Sequence, residues 1–95
     1  MTTTEYELRI NTDTKQYELL VDDTVAGFAS YDDRGDARLL PHTVVEPQFR
    51  GQGLSQPLIK FALDDARERG LKVIPACSAV SRFIVQNPEY KDLVA

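Results

Sequence analysis

Apolar and polar positions alternate through the first part of the chain, and the period then lengthens. Tyr6-Glu7-Leu8-Arg9-Ile10 alternates with the two-residue period of a half-buried strand. Tyr17-Glu18-Leu19-Leu20-Val21 and Val25-Ala26-Gly27-Phe28-Ala29-Ser30-Tyr31 flank the polar turn Asp22-Asp23-Thr24 and read as a hairpin. A polar loop, Asp32-Asp33-Arg34-Gly35-Asp36, leads into a fourth strand over Ala37 to Glu46. Pro41 interrupts that strand. Lacking an N–H, it predicts a bulge or an unpaired side there.

From Leu54 to Arg69 the apolar residues Leu54, Leu58, Phe61, Ala62 and Ala66 recur at helical spacing. Gly70 stands where a helix C-cap glycine belongs. A short apolar strand, Lys72-Val73-Ile74-Pro75-Ala76, follows, then a second helix over Ser78 to Gln86 that Asn87-Pro88 ends. The order β-β-β-β-α-β-α predicts an α/β (α+β) fold: a mixed, mostly antiparallel sheet of about five strands with helices packed on it. With 95 residues, the expectation is a single domain over 1–95.

Composition narrows the functional classes. The hydrophobic fraction of 42% and charged fraction of 27% suit an ordinary globular chain rather than a disordered one. A net charge of −4, with the basic residues dispersed, argues against a nucleic-acid partner, which needs a basic face. One cysteine, Cys77, excludes an internal disulfide, and one histidine, His42, argues against a zinc cluster. No apolar run approaches the roughly 20 residues that span a bilayer, so no membrane partner is expected. Met1-Thr2-Thr3-Thr4-Glu5 has neither the positive region nor the apolar run of a signal peptide, which predicts a cytoplasmic address.

The chemistry concentrates in Gln48-Phe49-Arg50-Gly51-Gln52-Gly53-Leu54-Ser55, between a strand end and a helix start. The first turn of a helix has N–H groups without internal partners, and the helix dipole adds partial positive charge. Gly51 and Gly53 let the backbone turn sharply against a pyrophosphate, and Arg50 adds a cation. A Walker loop would end in Gly-Lys-Ser/Thr, which is missing. A dinucleotide fingerprint would need a further Gly or Ala where Gln56 stands, within a parallel β-α-β unit.

The stretch resembles the coenzyme A signature of the GCN5-related N-acetyltransferases, Gln/Arg-x-x-Gly-x-Gly/Ala, which Gln48, Gly51 and Gly53 satisfy. His42-Thr43-Val44-Val45-Glu46-Pro47, Val73-Ile74-Pro75-Ala76-Cys77 and Asn87-Pro88-Glu89-Tyr90 look like a subfamily of very short members. The resemblance implies that the fourth and fifth strands splay apart and admit the pantetheine arm of acetyl-CoA. Val44 and Val45 would offer it backbone groups, and Arg50, Gly51, Gln52, Gly53, Leu54 and Ser55 would cradle the pyrophosphate. Pro41 and Pro75 suit ladders that stop at the splay. The link from Ile10 to Gln16 is only a turn, where ordinary members have helices, so the acceptor side should be open. Pro57, early in the helix, moves the expected helix start to about Ser55, with Ser55 as N-cap.

His42 is the candidate base, since a histidine exchanges protons readily near neutrality and an amine must lose a proton before attacking a thioester. Strand alternation puts it on the face of Leu40, Val44 and Glu46; its other role would be a structural bond to backbone. Cys77, beyond the fifth strand, is a candidate nucleophile with His42 as activator, or else a small buried filler. Glu46 is a weaker base candidate, at a strand end before Pro47. Tyr90 could protonate a leaving thiolate, although packing is its simpler role. Arg82 and Asn87 would reach the cofactor if the second helix borders the groove. The charges from Asp64 to Arg69 read as a helix face with i,i+3 and i,i+4 pairing and no chemistry.

The expected activity is an acetyl-CoA-dependent N-acetyltransferase acting on an amine, small molecule or protein. The alternative is a coenzyme A-binding module without efficient transfer. An interaction domain that binds no nucleotide would leave the glycine loop without a purpose.

Overall fold

The computed structural model describes residues 5–95, so the reading of the first four residues lies outside it. Seven strand segments and two α-helices follow in the order β1 (Glu7–Asn11), β2 (Gln16–Val21), β3 (Thr24–Ser30), β4 (Asp32–Arg34), β5 (Ala37–Leu39), β6 (Thr43–Val45), α1 (Ser55–Glu68), β7 (Lys72–Ile74) and α2 (Ser78–Gln86). Short 3-10 turns cover Pro47–Phe49 and Pro88–Leu93. The mixed architecture expected from the sequence is present. Two ladders make it up: antiparallel β1-β2-β3-β6, and β4-β5-β7, in which β5 and β7 run parallel.

The additional strand segments arise from breaks. Asp32–Arg34, read above as loop, is strand β4, because Asp32, Asp33 and Arg34 pair with Leu39, Arg38 and Ala37. Polar composition suggested a loop, but backbone pairing and the Asp33–Arg38 ion pair hold the segment extended. The Asp22-Asp23 turn closes the β2–β3 hairpin with both residues at positive φ (50° and 65°), the conformation that matches strand twist in two-residue hairpins.

Pro41 divides the expected fourth strand into β5 and β6. Continuing the β4–β5 register past Leu39 would set Ala29 opposite His42; instead Ala29 lies opposite Thr43. One extra residue is therefore taken up around Pro41, which is the anticipated bulge. It has a consequence that alternation could not supply. Leu40 is 1% exposed and joins the core, whereas His42 is exposed. His42 shares its face with Val44, which stands opposite Phe28, itself opposite Glu18. The expected common face of Leu40 and His42 is thus corrected: a one-residue slip inverts every side chain after it.

The opposite face, carrying Tyr17, Leu19 and Ala29, meets α1 through Leu58, Ile59, Ala62, Leu63 and Ala66. Phe61 packs edge-on against the Tyr17 ring at 5.6 Å. The Leu71 N–H bonds Ala66 C=O and the Gly70 N–H bonds Arg67 C=O, closing α1 in a Schellman motif. Val80, Phe83 and Ile84 seat α2 in the same core, and Tyr90 and Leu93 follow from the last turn. The chain end returns to β7, where the Ala95 N–H bonds Val73 C=O.

Candidate functional site

The parallel ladder β5–β7 ends where the two prolines stand. Leu40 N–H bonds Ile74 C=O at 3.0 Å, and Cys77 N–H bonds Leu40 C=O at 3.1 Å. Beyond that point the strand on the β5 side turns to β3 as β6, while the chain after β7 turns at Pro75 into α2. A splay opens between them, with Leu40 and Cys77 at its apex.

Which backbone groups face the splay follows from the ladder phase. Ser30 N–H bonds His42 C=O at 2.9 Å, and Glu46 N–H bonds Ala26 C=O at 2.8 Å. Between them Phe28 and Val44 are the hydrogen-bonded pair, so both main-chain groups of Val44 are committed to β3. The expectation for Val44 is therefore corrected. Thr43 and Val45 turn their N–H and C=O groups to the open side. The Val45 carbonyl accepts from Arg50 Nε at 3.0 Å, which holds that guanidinium against the end of β6.

The loop after β6 leads into α1. Gly51 and Gly53 adopt φ of 85° and 71°, a left-handed backbone that side chains disfavour. A Cβ at either glycine would meet nothing within 4 Å, so the space beside both α-carbons is open. The first bonds of the turn are Gln56 N–H to Gly53 C=O and Leu58 N–H to Leu54 C=O. The N–H groups ahead of them therefore have no helical acceptor. Ser55 is the first helical residue and Leu54 the N-cap, without a side-chain cap bond; the expectation of Ser55 as cap is corrected. Pro57 falls inside the first turn, where its missing N–H removes no helical bond. Gln48 and Gln52 are exposed on the same loop.

Cys77 is half-buried and stands as N-cap of α2. Its sulfur makes no cap bond of ordinary geometry. Even so, the Thr43 hydroxyl and N–H and the N–H groups of Ala79 and Val80 are near enough to favour negative charge on it. Burial opposes ionisation of the thiol, but these donors outweigh it and hold the pKa below the usual thiol value. Thr43 Oγ1 is itself buried without a hydrogen-bond partner. Among the described residues no hydrogen bond joins His42 to Cys77.

The remaining candidates are placed as follows. Asn87 donates from Nδ2 to Phe83 C=O at 2.8 Å and so ties off α2. Arg82 is exposed on α2 and, among the described residues, makes no ion pair. Glu46 follows β6 at the start of the 3-10 turn, and its N–H bonds Ala26 C=O of β3. Tyr90 is buried and donates to Asp64 Oδ1 at 2.7 Å, which gives it a packing role away from the splay. The residue that sequence reading did not single out is Thr43. Its only signal was its place between His42 and Val44.

The sequence model described as GCN5-related N-acetyl-transferase matches residues 16–93. The chain belongs to the GCN5-related N-acetyltransferase family. Protein NATD1 of Xenopus tropicalis is 37% identical over 49 residues, covering 52% of this chain and 45% of that protein. The Bos taurus protein of the same name matches equally, with 43% of its length covered. The chain thus spans under half the length of these curated relatives. Among solved structures, a GCN5-like protein from Staphylococcus aureus superposes with a TM-score of 0.70 at 22% identity, covering all of this chain and 91% of the other. The ribosomal-protein-S18-alanine N-acetyltransferase of Escherichia coli superposes with a TM-score of 0.62 at 22% identity, over 77% of this chain and 50% of that one. At such identity these two likenesses speak to the fold alone.

Among the described residues no helix is long and apolar enough to cross a membrane, and no group of His, Cys, Asp and Glu is arranged to hold a metal ion.

Proposed function

We propose that this protein is an acetyl-CoA-dependent N-acetyltransferase whose coenzyme lies along the open edge of β6 and ends on the Gly51–Gly53 turn. The observation that carries the proposal is the continuity of that path. The outward main-chain groups of Thr43 and Val45 lead to a left-handed turn with open space beside both of its glycines, ahead of a 14-residue helix. Those groups suit the amides of pantetheine. The N–H groups of Leu54 and Ser55, the helix dipole and the Arg50 guanidinium suit a pyrophosphate. When bound, the coenzyme supplies an acetyl group activated as a thioester.

The chain's own residues would do the rest. His42, on the face of the sheet away from α1, would take the proton from an ammonium acceptor and leave a neutral amine able to attack the carbonyl carbon. The link between β1 and β2 is the tight turn 12–15, and it leaves the acceptor side open at that strand pair. This suits an acceptor amine carried on a larger molecule as well as a small one. The reading carries with it a cytoplasmic location.

The environment of Cys77 favours a second route to the same product. Its thiolate attacks the acetyl carbonyl, the bond to the coenzyme sulfur breaks, and the coenzyme leaves as thiolate. The amine then attacks the acetyl-cysteine and releases the Cys77 thiolate, with the amine proton passing to His42. Acid quenching of wild type mixed with acetyl-CoA alone, followed by peptide mass analysis, separates the routes. An acetyl group on Cys77 supports the relay, and an unmodified Cys77 in an active preparation supports direct transfer.

The founding test is calorimetric titration of acetyl-CoA and coenzyme A into wild type and into a folded Gly51→Glu/Gly53→Glu variant. Saturable binding that the variant loses is the expected result. Failure of wild type to bind would overturn the proposal. Binding without transfer to any amine, peptide or lysate acceptor would instead make the protein a coenzyme A-binding module.

A further inference from the structure

Thr43 carries an unusual combination. Its hydroxyl oxygen is buried and makes no hydrogen bond, a costly state for a polar group taken from water. Its N–H is turned away from β3 by the ladder phase that pairs Phe28 with Val44. The N–H therefore faces the open side of β6, and the hydroxyl, on the α1 side of the strand, is near enough to Cys77 to act on its sulfur. The Cys77 N–H to Leu40 C=O bond fixes the cysteine at the apex of the splay. From the other side the first turn of the nine-residue helix α2 brings the N–H groups of Ala79 and Val80 to the same sulfur.

We propose that Thr43 is the positioning residue of Cys77, its orphaned hydroxyl held in reserve for the ionised sulfur. A neutral thiol is a weak acceptor and leaves the hydroxyl unsatisfied. A thiolate is a strong one, so the buried hydroxyl is satisfied when the proton leaves the thiol. The β-branched side chain adds a second effect: its few rotamers keep the donor in place, where a longer polar chain would wander. The bulge at Pro41 is what makes this possible. Without the one-residue slip, His42 would occupy the face that Thr43 now fills.

The titratable and charged groups on or beside the elements around the sulfur are Arg38 on β5, His42 and Glu46 on either side of β6, Lys72 on β7 and Arg82 on α2; the leading influences on the thiol are burial and hydrogen bonds. The significance for acetyl transfer rests on the transferase reading above, but the test does not.

The experiment is the pH dependence of Cys77 alkylation by iodoacetamide, on the full chain without coenzyme. The proteins are wild type, Thr43→Val, Thr43→Ala and Thr43→Ser, each checked for a cooperative unfolding transition. Val and Ala both lack the hydroxyl, so whichever folds provides the test. The expected result is an inflection raised by about one pH unit, with roughly tenfold slower alkylation at neutral pH, since a unit corresponds to one charge-assisted hydrogen bond lost. Thr43→Ser should restore the wild-type profile. A hydroxyl-free variant that folds and keeps the wild-type inflection overturns the proposal, as does a serine variant that behaves like alanine. Acetyl transfer assayed alongside keeps the two readings apart. A shifted inflection in a protein that acetylates nothing sinks only the transferase reading, whereas an unshifted one in an active protein sinks only the role of Thr43.

Discussion

Tyr17 and Asp65 lie 48 positions apart and share a 2.8 Å hydrogen bond, donated by the phenol to Oδ2 of the carboxylate. The same phenol oxygen accepts from Arg38 Nη1 at 2.8 Å, and Arg38 also grips Asp33 and lies 4.0 Å from the centre of the Tyr31 ring. Strand β2, the β4–β5 pair and helix α1 are thereby joined through one buried hydroxyl. Burial keeps Tyr17 neutral by pushing its pKa well up. Burial works against the Arg38 charge, but Asp33 and Tyr17 more than compensate.

Replacing Tyr17 by Phe should therefore cost about 1.5–3 kcal/mol, the range for a buried hydrogen bond to charged groups. Urea unfolding should show a lower midpoint with an unchanged slope, and coenzyme binding should keep its wild-type affinity. A variant as stable as wild type would mean that the Arg38–Asp65 contact alone joins the layers.

Acid should weaken the fold through Glu18. Only 3% exposed, it accepts from Gln16 Nε2 and Arg9 Nε, each at 2.6 Å. Burial pushes its pKa up, but these bonds and the Arg9 charge outweigh burial and hold the carboxyl below its usual value. A depressed folded pKa means that the contribution is fully present above the unfolded value of about 4.3, and is lost as pH falls through the folded one. Thermal midpoints should hence be level near neutrality and fall below about pH 4. Glu18→Gln should flatten that acid limb in part, since Asp33 and Asp64 are also held low by their partners.

Gly27 touches the edge of the site from behind. A Cβ there would come within 3.0 Å of the Val44 carbonyl, which is backbone and cannot swing aside. Gly27→Ala should push β6 from β3 and cost about 1–3 kcal/mol, the range for overpacking. It should also weaken acetyl-CoA binding, because the displaced strand carries Thr43 and Val45. Wild-type affinity in a destabilised Gly27→Ala protein would detach the coenzyme from β6.

His42→Ala should lower turnover by about 10²–10⁴-fold, the usual contribution of a general base, and leave the coenzyme Kd where it was. Unchanged turnover at saturating acceptor would remove His42 from the chemistry.

Sequence alone settled what local rules can reach. The apolar pattern located both helices and the strands other than Asp32–Arg34, with Ala37 to Glu46 read as one strand where there are two; the Asp22-Asp23 turn and Gly70 marked ends, and Gln48, Gly51 and Gly53 announced the loop before α1. These signals are legible because a turn, a cap or an amphipathic face depends on residues within a few positions of one another. Pro41 even foretold its bulge. Tertiary structure decided what the bulge did. A slip of one residue exchanges the two faces of a strand, and only the partner strands show on which residue it falls; so His42 left the face of Leu40, Thr43 took the inward place, and Val44 gave its backbone to Phe28. The same holds for Asp64 and Asp65, read as solvated charges on a helix surface. They are anchors for Tyr90 and Tyr17, because a hydrogen bond across 26 or 48 positions is set by packing and leaves no trace in local pattern.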